Sequence, residues 1–132
     1  MASKFDKAHI LAFLLPAALL GGAYGSQYIG GLFPCEMCWW QRYPHFAAVA
    51  ITLVAFGVSN TGFRTVLVAL AALAIASSGL IGGFHAGVEY GYWEGLTACT
   101  ATISGSGDDL LQSIMNAPLV RCDVAPWTLF GI

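Results

Sequence analysis

The stretch Pro34-Cys35-Glu36-Met37-Cys38-Trp39-Trp40-Gln41-Arg42 sets two cysteines at C-x-x-C spacing, with an arginine four residues past the second. Thiols this close can form a disulfide or hold a metal, and both uses run through the thiolate. A C-x-x-C bridge closes almost no loop, so it adds little stability by constraining the unfolded chain. Short C-x-x-C pairs are more often redox-active, and a helix beginning at the second cysteine favours its thiolate. Glu36 opposes that locally, and Arg42 supports it. Cys99 and Cys122 complete a set of four cysteines, which allows three pairings. His85, with Glu89 four residues on, is the ionisable candidate inside a later apolar run.

Rival chemistries are visible in the same residues. A zinc site needs four converging ligands, and a C-x-x-C with a distant pair can supply them. Cys99 and Cys122 form no second C-x-x-C or C-x-x-H, so no metal is expected. A pair of purely structural bridges is the stronger rival, since closing a Cys99–Cys122 loop stabilises by roughly 3–4 kcal/mol in the chain-entropy picture. For His85 the plain alternative is an interfacial histidine bonded to a backbone carbonyl.

Composition says where these groups must sit. The chain has 132 residues, 58% hydrophobic and 9% charged, and its mean hydropathy is +0.73. Soluble domains carry about 25% charge, so the expectation is one all-α membrane domain over 1–132. With a net charge of −2 and no basic cluster, nucleic acid is excluded as a partner. Spans are expected over about 9–30, 39–58 and 65–88, each close to the roughly 20 residues that cross a bilayer. The first is longer than the apolar region of a cleaved signal peptide, about 7–15 residues, although Ala23-Tyr24-Gly25 offers small residues of the cleavage type. Pro16 is expected to bend it. Gly21 and Gly25, and later Gly79, Gly83 and Gly87, form small-residue stripes suited to close helix packing.

Starting the second span near Trp39 places Trp39, Trp40 and Tyr43 in the interfacial aromatic belt. Arg42 then lies at headgroup depth, facing inward or snorkelling outward, and Pro44 falls in the first turn or two. Residues 59–64 read as a tight polar turn. The segment 90–132 reads as a polar loop, with a hinge over 104–107 and a short amphipathic helix over 108–115 on the membrane surface. Residues 126–130 look like a return into the bilayer, and three spans are expected in all. Lys4, Lys7 and Arg64 fall on one side of such a topology, which the positive-inside rule makes cytoplasmic. The loops 31–38 and 90–132 then share the other side, where disulfides persist.

A C-x-x-C with x-x-x-Arg behind it at the head of the second span, then a cysteine pair in a second outer loop, is similar to the DsbB family of bacterial inner-membrane disulfide-generating enzymes. The resemblance rests on Cys35, Cys38, Arg42, Cys99 and Cys122 together and covers nearly the whole chain. It implies a four-helix bundle, of which three helices are expected here. It further implies a thiol:quinone oxidoreductase that reoxidises a periplasmic DsbA-like dithiol and passes the electrons to ubiquinone or menaquinone. Cys38 would sit beside the quinone ring with Cys35 as its partner. Cys99 would form the mixed disulfide with the DsbA-like protein, and Cys122 would resolve it by exchange with Cys35. The resting pairs would be Cys35–Cys38 and Cys99–Cys122. Arg42 would contact the quinone, and His85 matches a histidine near the ring. Two alternatives are a vitamin K epoxide reductase-like enzyme, whose C-x-x-C would be expected after the loop pair, and a non-enzymatic membrane subunit braced by structural disulfides.

Overall fold

The computed structural model describes residues 4–96, 107–108, 111–112, 115 and 120–128. The fold is all-α, with helices α1 (Lys4–Tyr28), α2 (Glu36–Phe56) and α3 (Thr61–Glu89), and no strand occurs among the described residues. Of the helix expected over 108–115, helical conformation is described at Asp108, Leu111, Gln112 and Met115. The rest of it, the hinge at 104–106 and Cys99 lie outside the described residues.

At about 1.5 Å per residue the three helices are about 37, 31 and 43 Å long. α1 and α3 are both long and apolar enough to cross a membrane. α2 has the length, but its first half carries Glu36, Gln41, Arg42 and His45. Exposure is inverted relative to a water-soluble bundle. Leu11, Leu14, Leu53, Leu73 and Leu80 are exposed, while small and polar residues such as Ala48, Ala71, Thr52, Ser78 and His9 are buried. In lipid there is no hydrophobic force between helices, so small residues and internal hydrogen bonds hold them together instead. His9 Nε2 meets the Thr52 carbonyl at 3.0 Å, and Ser78 Oγ donates to the Gln41 carbonyl at 2.8 Å.

α2 packs against both neighbours, more on α3 than on α1, and α1 meets α3 sparsely. Arg64 at the start of α3 reaches Asp6 at the start of α1 at 3.6 Å. Those two ends therefore share one side of the bundle, and the cysteine-bearing head of α2 meets the last turns of α3 on the other.

The structure corrects three local expectations. α2 starts at Glu36 and not at Trp39, because Cys35 is extended (φ −74°, ψ 175°) and caps the helix by accepting from the Cys38 N–H. Pro44 consequently lies in the third turn, inside the helix. Residues 61–64 belong to α3 and not to a polar turn: Asn60 Oδ1 accepts from the Phe63 N–H at 2.9 Å and opens the helix. The glycine stripes are not helix contacts, since a Cβ at Gly21, Gly25, Gly79 or Gly83 would meet nothing within 4 Å among the described residues. Periodicity located the small faces without saying which way they point.

Gly87 is close-packed for a different reason. α3 ends with Gly91 at φ +72°, its N–H on the Val88 carbonyl at 3.0 Å and the Tyr92 N–H on the Gly87 carbonyl at 2.9 Å. This left-handed cap turns the chain back on the helix. It stacks Trp93 on Phe84, ring centroids 5.6 Å apart, with the indole N–H on the Phe84 carbonyl at 3.0 Å. A Cβ on Gly87 would overlap the indole. Gly87→Ala is therefore expected to destabilise the protein by about 1–3 kcal/mol, read as a lower thermal midpoint in detergent. The double variant Gly87→Ala/Trp93→Ala should lose no more than Trp93→Ala alone, and an additive loss would refute the contact.

Candidate active site

The head of α2 presents Cys35 at the cap and Cys38 one turn on, so both sulfurs face the same side. Cys35 Sγ and Cys38 Sγ are 2.7 Å apart. From α3, the buried His85 brings Nε2 to 3.6 Å from Cys35 Sγ. Its other nitrogen, Nδ1, accepts from the Gln41 amide at 3.0 Å. Nε2 also lies 3.5 Å from Glu89 Oε1, so the ring stands between the Cys35 sulfur and a carboxylate. Cys122 arrives from the far end of the chain. It is 5% exposed and packs with Cys35, Met37 and Val88. The Cys35, His85 and Cys122 ligand atoms all lie within 4.8 Å of one another. Sequence spacing alone could not foretell this meeting of three distant residues.

Cys35 caps α2 and Cys38 lies in its first turn, ahead of the apolar part of the helix. The Cys35 thiol is pushed up, first because it donates its hydrogen to Cys38 and then because it is buried. Cys38 is the complementary case. The hydrogen bond from Cys35 lowers it most, its burial opposes this, and the charges of His85 and Arg42 assist, holding it below the ordinary thiol range. The pair therefore divides into a thiol, Cys35, and a thiolate, Cys38. In the reduced protein, alkylation of Cys38 should reach its plateau at a lower pH than that of an ordinary thiol, followed by mass spectrometry in a Cys99→Ser background. A rise centred at the ordinary thiol value would contradict the assignment.

Below Cys38 opens a cavity of about 330 Å³ lined by Cys38, Gln41, Arg42, His45, His85 and, from the loop, Trp127. Leu19, Leu20, Leu32 and Phe33 supply apolar walls. Arg42 is 7% exposed and turned inward. One of its terminal nitrogens donates to Gln27 Oε1 at 2.7 Å and the other to the Ala23 carbonyl at 3.2 Å. Its guanidinium lies 4.9 Å from the ring centroids of both Tyr24 and Trp39. Two contacts leave three of the five guanidinium N–H groups for a ligand. Pro126 and Trp127, expected to return into the bilayer, line this cavity. A second cavity, of about 280 Å³, opens on Cys35, His85, Glu89 and Arg121. Beside it the exposed Arg121 pairs with Asp123 through Nε and Oδ1 at 2.8 Å and holds that carboxyl below its usual range.

Gln27, Gln41 and His45 were not among the residues singled out from sequence. The missed signal is Cys38-Gln41-Arg42-His45, polar positions at i, i+3, i+4 and i+7 that mark one helix face in an otherwise apolar run. His45 Nε2 lies 3.2 Å from Ser78 Oγ.

The family model described as "Disulfide bond formation protein DsbB" matches residues 6–132. A disulfide bond formation protein B of Marinobacter nauticus is 36% identical over 53% of this chain, and the match takes in 42% of that protein's length. Disulfide bond formation protein B 1 of Pseudomonas aeruginosa is 28% identical over 93% of this chain and 78% of its own. An uncharacterized protein of Rickettsia prowazekii is 23% identical over 98% of this chain and 76% of its own. No solved structure gives a significant match. With the family model covering almost the full length and the cysteines gathered at the head of α2, the chain belongs to the DsbB family of disulfide bond formation proteins.

Proposed function

We propose that this chain is a membrane thiol:quinone oxidoreductase that reoxidises a periplasmic DsbA-like dithiol and delivers the electrons to ubiquinone or menaquinone. The observation that carries the reading is the meeting of Cys35, Cys38 and Cys122 directly above a cavity walled by Arg42 and apolar side chains. A planar apolar ring bearing acceptor oxygens fits those donors and walls, and a quinone, when bound there, supplies a two-electron acceptor. α2 serves as a third span, its exposed Phe46, Leu53, Val54 and Phe56 facing lipid, with the cysteines on the side opposite Lys7 and Arg64.

Electrons enter through Cys99. The partner's thiolate attacks the Cys99–Cys122 disulfide at Cys99, its second thiolate releases Cys99, and the partner leaves oxidised. Cys122 then attacks Cys35 in the Cys35–Cys38 disulfide, and Cys38 departs as the thiolate, stabilised by His85 and Arg42. Cys99 displaces Cys35 from Cys122, and the dithiol Cys35/Cys38 holds the electron pair beside the cavity. Oxidation of that dithiol returns two electrons and two protons. Nε2–H of His85, 3.6 Å from Cys35 Sγ, is the group placed to carry a proton. Arg42 holds fixed positive charge where the acceptor's oxygens gain electrons.

The test is quinone reduction by the full chain in lipid nanodiscs, driven by a reduced DsbA-type protein. Turnover should require both substrates and all four cysteines. Structural bridges would leave the quinone untouched and the partner reduced.

A further inference from the structure

We propose that, in its dithiol state, the protein binds one thiophilic divalent cation, zinc or cadmium, through Cys35, Cys122, His85 and Glu89, and that the ion holds these two sulfurs out of disulfide exchange. The expectation from spacing was no metal, because Cys99 and Cys122 offered no second chelating pair. The fold assembles a different set. Cys35 Sγ, His85 Nε2 and Cys122 Sγ all lie within 4.8 Å of one another and all three residues are buried.

Distances decide whether this is a cage or a coincidence. Zinc bonds sulfur at about 2.3 Å and nitrogen at about 2.0–2.1 Å. A tetrahedral angle between them separates sulfur and nitrogen by about 3.6 Å, and Cys35 Sγ stands 3.6 Å from His85 Nε2. The same geometry sets nitrogen and oxygen about 3.4 Å apart, and Glu89 Oε1 is 3.5 Å from that nitrogen. Three of the four groups already lie within 4.8 Å of one another, and Glu89, one turn further along α3, reaches the imidazole nitrogen. The outer shell is also present. A ligating Nε2 requires the imidazole proton on Nδ1, 3.0 Å from the Gln41 amide, which would turn its oxygen to that proton and give up its bond to the Met37 carbonyl. Glu89 and Arg121 line the cavity that opens on the site, giving the ion a route in.

Binding is a proton exchange with no change of oxidation state. Two thiols lose their protons, two sulfur–metal bonds form, and affinity rises with pH. The oxidised protein cannot make the site, because a sulfur in a disulfide has no thiolate to offer. The inference does not depend on a quinone being the electron acceptor, only on the cysteines being reduced.

The experiment uses the full chain in detergent micelles, reduced and desalted without air. Zinc is titrated against a chromophoric chelator, and cadmium is followed by its thiolate charge-transfer absorbance. One ion per chain is expected in the reduced protein and none in the oxidised protein. Cys35→Ser and Cys122→Ser should each abolish the site. His85→Gln and Glu89→Gln should each weaken it by at least the roughly 10–100-fold that loss of an outer-shell partner costs, with helix content by circular dichroism confirming that each variant is folded. Cys38→Ser and Cys99→Ser should retain it. A loss in Cys38→Ser as large as that in Cys122→Ser would assign the ion to the C-x-x-C pair and overturn the proposal. Loss in Cys99→Ser, equal binding by the oxidised protein, or no binding by the reduced protein would overturn it as well.

Discussion

Cys38→Ser is expected to stop quinone-dependent turnover, by at least about 10³-fold, the scale on which loss of a reacting nucleophile acts. The variant should not simply fall silent. Without Cys38, Cys35 cannot return to the C-x-x-C bridge, and its sulfur lies within 4.8 Å of that of Cys122. A Cys35–Cys122 disulfide should therefore accumulate in aerobically purified protein. Peptide mapping under non-reducing conditions, after rapid alkylation, reads this directly. The complementary variant, Cys122→Ser, leaves Cys99 without the loop thiol that can displace a bound partner by attack on Cys99, and should trap a Cys99-linked adduct with a DsbA-type protein whose second cysteine is replaced. Persistent quinone reduction by Cys38→Ser would remove this residue from the electron path. Trapping by Cys99→Ser to the same extent as by Cys122→Ser would reverse the roles within the loop pair.

Arg42→Ala is expected to weaken quinone-dependent reoxidation of Cys35–Cys38 by roughly 10–100-fold, since a hydrogen bond to a charged group is worth about 1.5–3 kcal/mol. The loss should appear in the dependence of rate on quinone concentration. A single-turnover transfer of oxidation to a dithiol partner should change little. Arg42 also ties α2 to α1 through Gln27 Oε1 and the Ala23 carbonyl, so a packing defect must be separated from a lost cation. Gln27→Met does this, removing the 2.7 Å tie to α1 while keeping the charge. If Gln27→Met reproduces the Arg42→Ala kinetics, the guanidinium acts by holding the helices and not by meeting the acceptor.

The parts of this site that sequence disclosed are those fixed by local geometry. C-x-x-C and an arginine four residues on share one helix face whatever the rest of the chain does, and apolar composition with three long runs states an all-α fold. His85 was recognisable as an ionisable residue in an apolar run, and Glu89 as its neighbour one turn on. Their approach to Cys35 was not recognisable, because it depends on how α3 packs across α2, and no spacing encodes that. The same limit explains the glycines. Gly79 and Gly83 have the period of a packing face, yet the face is exposed, while Gly82, outside the stripe, is the one that comes close to Gln41. Helix starts were misjudged where a side chain supplied the cap: a cysteine is an uncommon N-cap, so Cys35 gave no warning that α2 begins at Glu36.

That cap links redox state to backbone order. The sulfur that must leave one bond and enter another is also the acceptor for the Cys38 amide, at 3.2 Å. A thiolate accepts such a bond strongly, a thiol less well, and a sulfur rotated toward Cys122 not at all. Each handover at Cys35 therefore slackens the first turn of α2, the turn that carries Cys38. In the proposed exchange the reactive cysteine would be released to move at the stage when it changes partners and clamped again when the handover is complete. Under the proposed exchange the helix terminus would work as an escapement, advancing one bond at a time.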